Sequence, residues 1–375
     1  MQKLALVVML ITLVSSATAA KRITVGDLEQ IIATSHGKSD KEVAQQIGHL
    51  ELTERLNAAQ LDRLRSDLPG EKSRLALLAI ADASVFLDLP ATDIPSFPVP
   101  DSASQNQIRS LAANFIVTSL AKMPDFLAHR TTTRFSNLKV SSVFDQPIIS
   151  PSKEFLLLDR LNATVVYRNG KEVVETPQED IATNSQAGMT GLNNWGVFGP
   201  LLSVMMTDVL AGKMDWSHWE QDSGRPTAVF SYFITKDRSS YTVRYCCFLE
   251  DGGIMRESKI TSAYHGEVAI DPVSGAILRF VLKADLDTNF PIYRADIMVE
   301  YGPVSIGGRS YISPVKSVSI STAMEVISKG IVGHDGQIFY NDIAGKPNVT
   351  AINDVVFDTY HVFSTDMRVL PTDVQ

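Results

Sequence analysis

Only two cysteines occur in 375 residues, Cys246 and Cys247, and they are adjacent. No long-range intrachain disulfide is available, so stability has to come from a large core. In a strand the two side chains would face opposite sides, and they are expected as small buried or half-buried thiols. Runs of basic residues are missing as well. With 34 basic against 42 acidic residues the formal charge is −8. A net acidic chain repels phosphate backbones, which excludes nucleic acid as the expected partner, and without a polybasic run there is no electrostatic anchor for anionic lipid. No stretch after residue 20 is long and apolar enough to suggest a membrane span.

Catalytic signatures are equally scarce. The seven histidines, His36, His49, His129, His218, His265, His334 and His361, include no pair at metal-ligand spacing, and no cysteine cluster assists them. There is no G-x-S-x-G elbow, no phosphate-binding loop and no dinucleotide fingerprint; Gly188, Gly191 and Gly196 have the wrong spacing. Asp285-x-Asp287-x-Asn289 imitates the start of a calcium loop, but Phe290 stands where the sharp turn needs glycine. No cofactor and no metal are expected. His265, ahead of Gly266 on a predicted strand, reads as a solvated or hydrogen-bonded histidine.

What is present begins with an export signal. Lys3 supplies a positive start, Leu4 to Val14 an uncharged apolar stretch, and Ala17-x-Ala19 a small-x-small cleavage site. Residues 1–20 are therefore expected to be removed, and the mature chain to be periplasmic or extracellular. Asn162-Ala163-Thr164 and Asn348-Val349-Thr350 are sequons that matter only in a glycosylating host.

Residues 21–89 carry helical period. Thr24 with Asp27 and Ser39 with Glu42 form capping pairs, Asn57 is placed to cap a third helix, and Pro69-Gly70 ends it. In a fourth helix Leu75, Leu78, Asp82 and Phe86 recur on one side; Asp82 interrupts the stripe, so Ala79 and Ala83 are expected to share the buried side. Pro90, Pro95, Pro98 and Pro100 then mark a linker, and Asp101 or Ser104 begins a connecting helix with Ile108, Leu111, Phe115 and Ile116 on one face, so that 90–130 is linker plus helix.

From residue 131 to 375 the period changes to two. Asn169-Gly170 is a hairpin tip of type I′ chemistry, Asp271 to Gly275 a turn between strands, and Leu278, Phe280, Leu282 and Ala284 alternate against Arg279, Val281 and Lys283. Ala295, Ile297, Val299 and Tyr301 alternate in the same way. This pattern predicts an antiparallel sheet with one covered face, of about nine to eleven strands between 131 and 364. Leu201, Leu202, Met205, Val209 and Leu210 predict one helix packed on the open face. Trp216 and Trp219, three apart, are expected on opposite sides of a strand.

Several blocks agree in order with one group of proteins: Met123-Pro124-Asp125-Phe126 with Arg130 to Phe135, Trp195 to Gly199, Tyr264 to Pro272 with Ser274 to Arg279, and Asn289 to Ile292 with Val299 to Val304 and Ile306 to Val315. They resemble a family of exported, uncharacterised proteins from environmental Gram-negative bacteria. Gly266, Ile270-Asp271-Pro272 and Leu278-Arg279 also resemble, more distantly, the periplasmic lipoprotein-carrier family (LolA/LolB type). That resemblance implies a half-open antiparallel barrel plugged by helices over an apolar concavity. The expectation is an α+β protein: a small N-terminal helical unit followed by a large antiparallel half-barrel with a plugging helix. The expected function is non-enzymatic binding of a lipid or other apolar ligand, with Phe198, Leu202, Met205, Met206 and Trp219 lining the cavity. The alternatives are an envelope protein-interaction module and a hydrolase whose site gathers a carboxylate with His265 or His361.

Overall fold

A computed structural model describes residues 20–143, 146–169, 171–175, 191–192, 208–210, 212–222, 224–250, 254–287, 292–324, 328–332, 338–342 and 348–363. The N-terminal unit comprises β1 (Lys21–Ile23), α1 (Val25–Ala33), α2 (Asp40–Gly48), β2 (Leu50–Leu52), α3 (Ala58–Ser66) and α4 (Glu71–Ser84). Thr24, Ser39 and Asn57 each cap their helix by accepting from the N3 amide, with the N3 side chain of Asp27, Glu42 or Gln60 bonding back. These boxes satisfy amides that a helix start otherwise leaves orphaned. The short parallel pair β1–β2 was not anticipated: three residues each, brought together across two helices. Leu28, Ile32, Val43, Ile47, Leu64 and Leu77 give this unit its own core.

A single turn at Ala91–Asp93 leads through the prolines to α5 (Ser102–Lys122), capped by Asp101, whose Oδ1 accepts from the Ser104 amide at 2.7 Å. Strands fill the rest: β3 (Phe126–Val143), β4 (Gln146–Arg168), β5 (Lys171–Glu175), β6 (Gly191–Leu192), β7 (Met214–Asp222), β8 (Arg225–Ile234), β9 (Thr242–Glu250), β10 (Ile254–Thr261), β11 (Ala263–Ile270), β12 (Ile277–Asp285), β13 (Ile292–Ile306), β14 (Arg309–Met324), β15 (Ser328–Val332), β16 (Ile338–Asp342) and β17 (Asn348–Val362). Ten form one open antiparallel sheet in the order β5-β4-β3-β17-β14-β13-β12-β11-β8-β7. The fold is α+β. Arg168 pairs with Lys171 across the Asn169-Gly170 tip, and Asn169 has φ 52°, the left-handed backbone that this turn requires.

The alternation predicted one covered face, and the protein covers both. On the apolar face Phe126, Phe230, Tyr264, Phe280, Leu282 and Val299 pack with Ile108, Ala112 and Ile116 of α5. On the other, Phe135, Val281, Met298, Val318, Ile320 and Ile352 pack with Ala79 of α4 and Phe86 just after it. The helical unit brings partners to two charged residues of that face, Lys316 and Glu220. Lys316 Nζ donates to Asp82 Oδ1 at 2.8 Å and lies 3.3 Å from Asp354 Oδ1, with Asp82 fully buried. Asp82 thus belongs to the buried stripe of α4 rather than interrupting it, alongside Ala79 at 1 % exposure.

Candidate ligand-binding surfaces

Among its described residues helix α5 buries Ile108, Ala112 and Ile116 at i, i+4 and i+8, with Phe115 half-buried beside them, and Val209, Tyr241 and Val243, from outside the large sheet, join the same core. Arg109 Nη1 ties the helix to the sheet edge by donating to Met214 O at 2.8 Å. A gap of about 20 Å³ remains between Phe115, Ile116, Met123, Ile277, Tyr301 and Ile312, room for about one water.

The β11–β12 turn sets how closely α5 approaches. Asp271 Oδ1 accepts from the amides of Val273 at 2.8 Å and Ser274 at 3.2 Å, and Gly275 N donates to Asp271 O at 2.9 Å. Gly275 has φ +75°, and a Cβ there would lie 2.3 Å from Leu111 C and 2.4 Å from Leu111 O. A bare glycine is therefore needed twice over, for the turn and for contact with the helix backbone. Gly266 is the other close approach. A Cβ on it would stand 1.9 Å from Val281 O, the carbonyl to which the buried Tyr232 hydroxyl donates at 2.6 Å.

Trp219 occupies the edge of this face. A register shift between Trp216 and His218 inserts one extra residue, so Trp216 and Trp219 lie on the same side with centroids 4.9 Å apart. The expectation of opposite sides failed because a bulge resets the period of two. Trp219 is half-buried against the apolar core, its Nε1 donates to Pro98 O at 2.8 Å, and Phe97 meets its ring edge-on at 6.1 Å. It fastens the proline strap that leads into α5. Phe198, Leu202, Met205 and Met206 lie outside the described residues, as do the side chains of Cys246 and Cys247. Of the predicted 201–210 helix, Asp208 to Leu210 are described. Val209 is in the apolar core, and Asp208 accepts from Ser240 N, Ser240 Oγ and Tyr264 Oη at 2.6, 2.8 and 2.9 Å.

The opposite face carries a buried ionic centre absent from the sequence reading. Glu220 of β7 accepts from Arg279 Nη1 at 2.6 Å and Nη2 at 2.8 Å, and from Arg55 Nη2 at 2.5 Å; His218 Nε2 stands 3.0 Å away. Arg55 and Glu220 side chains are each 8 % exposed. Burial pushes the Glu220 carboxyl up, but Arg279, His218 and Arg55 outweigh it and hold it well below the usual carboxylate range. Burial lowers Arg55, with Arg279 adding repulsion. A cavity of about 330 Å³ opens beside this centre, between the β2–α3 connection and the sheet. A second, of about 230 Å³, shares Arg55 and is lined by Ser231, His265 and Glu267.

His265 is exposed, with Nδ1 3.0 Å from Asp285 Oδ1. Ser231 Oγ lies 3.5 Å from Asp215 O. His265 and Glu267 share the lining of the second cavity, the pairing of histidine with carboxylate that the hydrolase alternative requires, and no hydrogen bond joins Ser231 to His265 among the described residues. His361 is exposed at the end of β17, far in sequence from either cavity lining. Comparison with protein-family models and with curated proteins returns no match.

Proposed function

We propose that the chain is an exported, non-enzymatic binding protein that holds an apolar ligand, a lipid or acyl chain, against the apolar face of its open sheet in place of α5. The observation that carries this reading is the width of that face: apolar side chains from β3, β4, β8, β11, β12, β13 and β17 join one core, against the buried stripe of Ile108, Ala112 and Ile116 that the described part of α5 supplies, with Val209, Tyr241 and Val243 beside it. A helix with side chains is about 10–12 Å wide, which spans two or three strands at about 4.8 Å each.

Energetics allow the exchange. Burying Ile108 and Ile116 contributes about 3–6 kcal/mol, and half-buried Phe115 adds about 1 kcal/mol. An acyl chain that buries about ten methylenes gains about 8 kcal/mol. The ligand and the helix therefore compete on similar terms, as a reversible carrier requires. The signal-like N-terminus and the resemblance to lipoprotein carriers support the same compartment and fold of use, though fold likeness by itself assigns no function. Native purification of the exported protein, solvent extraction and mass spectrometry test the reading. Stoichiometric lipid is expected. A lipid-free protein that also fails to take up a fluorescent fatty acid saturably would overturn it.

A further inference from the structure

We propose that α5 is a hinged lid, fixed at its C-terminal end and latched at its N-terminal end to the edge strand β7, so that an apolar ligand enters beside Trp219. The lid presupposes the function proposed above, an apolar guest in place of α5. The two ends of the helix are attached in different ways. At the C-terminal end three residues, Met123, Pro124 and Asp125, lead straight into β3. Asp125 is held from two sides: its carbonyl accepts from Phe363 N at 3.0 Å and its Oδ1 accepts from Asn169 N at 3.0 Å. Phe126 follows, fully buried, with its ring centroid 5.0 Å from that of Tyr167. Met123 is already extended, with ψ 118°, as a residue before proline prefers. The gap of about 20 Å³ beside Phe115, Ile116 and Met123 leaves the helix room to tilt about this end, and methionine adapts its shape to such changes.

At the N-terminal end two side-chain hydrogen bonds hold the helix and its strap. Arg109 Nη1 donates to Met214 O at 2.8 Å, and Trp219 Nε1 donates to Pro98 O at 2.8 Å. Met214 and Trp219 both belong to β7, one edge of the ten-stranded sheet. The strap 94–100 makes no backbone–backbone hydrogen bond among the described residues. Pro95, Pro98 and Pro100 fix its backbone. At about 3.1 Å per residue it is a stiff arm roughly 20 Å long, able to swing as one piece once the two bonds break. Hydrogen bonds of this kind exchange for water at small net cost. Ile94, Phe97 and Val99 of the strap are 38, 43 and 68 % exposed. They place apolar surface at the latch, where an incoming acyl chain would make its first contact.

Hydrogen exchange of the ligand-free full chain, followed by mass spectrometry, reads the latch without any ligand. Arg109→Met and Trp219→Phe each remove one donor. Each should make the amides of residues 106–116 exchange about two- to tenfold faster, with α4 unchanged. Stopped-flow uptake of a fluorescent fatty acid should accelerate by the same factor. Unchanged exchange over 106–116 in both variants overturns the latch, and so does equal acceleration in α4, which would mark a general loosening. Faster exchange with unchanged uptake overturns the lid as the route of entry. Faster uptake in Met123→Ala but not in the latch variants overturns it too, since the face would then open at the other end. A native chain that takes up no fatty acid refutes the proposed function instead, and the exchange result still decides the latch.

Discussion

Replacing Asp82 with Asn should make the protein's stability respond differently to pH, with a sign fixed by the geometry. Asp82 is fully buried on α4, and its neighbours are one ammonium, Lys316, and a second carboxylate, Asp354. Two acids share one base in a dry site, so one acid keeps its proton. Burial, then the Asp354 charge, push Asp82 up to about 8, against the opposing pull of Lys316. The same two carboxylates hold Lys316 above its ordinary range, so its titration lies above the window in question.

An acid whose folded pKa is raised favours folding fully below its unfolded pKa, near 4, and loses that contribution as pH rises through the folded value. Between those limits the folded chain keeps a proton that the unfolded chain releases, and stability falls by up to about 1.4 kcal/mol per pH unit. From pH 5 to pH 8 the native chain should lose up to about 4 kcal/mol from this site relative to Asp82→Asn, which has nothing to titrate. At pH 5 the two should agree within about 1 kcal/mol, since Asn mimics the protonated acid and still accepts from Lys316. At pH 8 the variant should be the more stable by about 3 kcal/mol. Guanidinium denaturation followed by tryptophan fluorescence at several pH values measures the difference, and titrating groups remote from the Asp82, Lys316 and Asp354 cluster cancel in it. A difference that is flat across pH 5 to 8, or a variant less stable at pH 8, would refute the reasoning.

Two further outcomes follow from the close contacts. Gly275→Ala puts a methyl into the α5 backbone at a positive φ; a loss of about 2–4 kcal/mol is expected from strain and displacement, together with faster uptake of a fluorescent fatty acid, and a lower melting temperature with unchanged uptake would show that α5 does not gate the apolar face. Glu220→Gln leaves Arg55 and Arg279 unpaired, which should cost about 3–5 kcal/mol at neutral pH. Because the Glu220 pKa is depressed, its contribution is present above the unfolded value near 4.5 and is lost as pH falls through the folded one; denaturation curves should therefore converge in strong acid, and a neutral-pH difference below about 1 kcal/mol would sink the argument.

What could be read in the sequence was what is encoded over three or four residues or by a simple period. The Thr24–Asp27 and Ser39–Glu42 boxes, the Asn169-Gly170 tip and the Asp271–Gly275 turn are each closed by contacts at short separation. The strand period also predicted which side chains of β12 and β13 share a face. The failures have a common origin. Lys316 meets Asp82 across 234 residues and Arg55 meets Glu220 across 165, so nothing local marks Asp82 as buried or Arg55 as paired. The bulge before His218 is invisible in the Trp216–Trp219 spacing because inserting one residue changes parity without changing composition. From sequence, helix α5 is a connector, since its apolar stripe gives no hint of the partner that receives it.

The two faces of the sheet differ in what kind of force attaches their covers, and this assigns motion to one side. The helical unit is registered by Lys316 with Asp82 and by Arg55 with Glu220. Such buried pairs are directional, and separating them would leave charges stranded at several kcal/mol each. Helix α5 is attached mainly through Ile108, Ala112 and Ile116, by contacts that are non-directional and scale with area, with one directional tie from Arg109 Nη1 to Met214 O. An apolar guest reproduces the second kind of attachment and not the first. Under the function proposed above, the apolar face is the side where cover and ligand would exchange, while the ionic face fixes the helical unit.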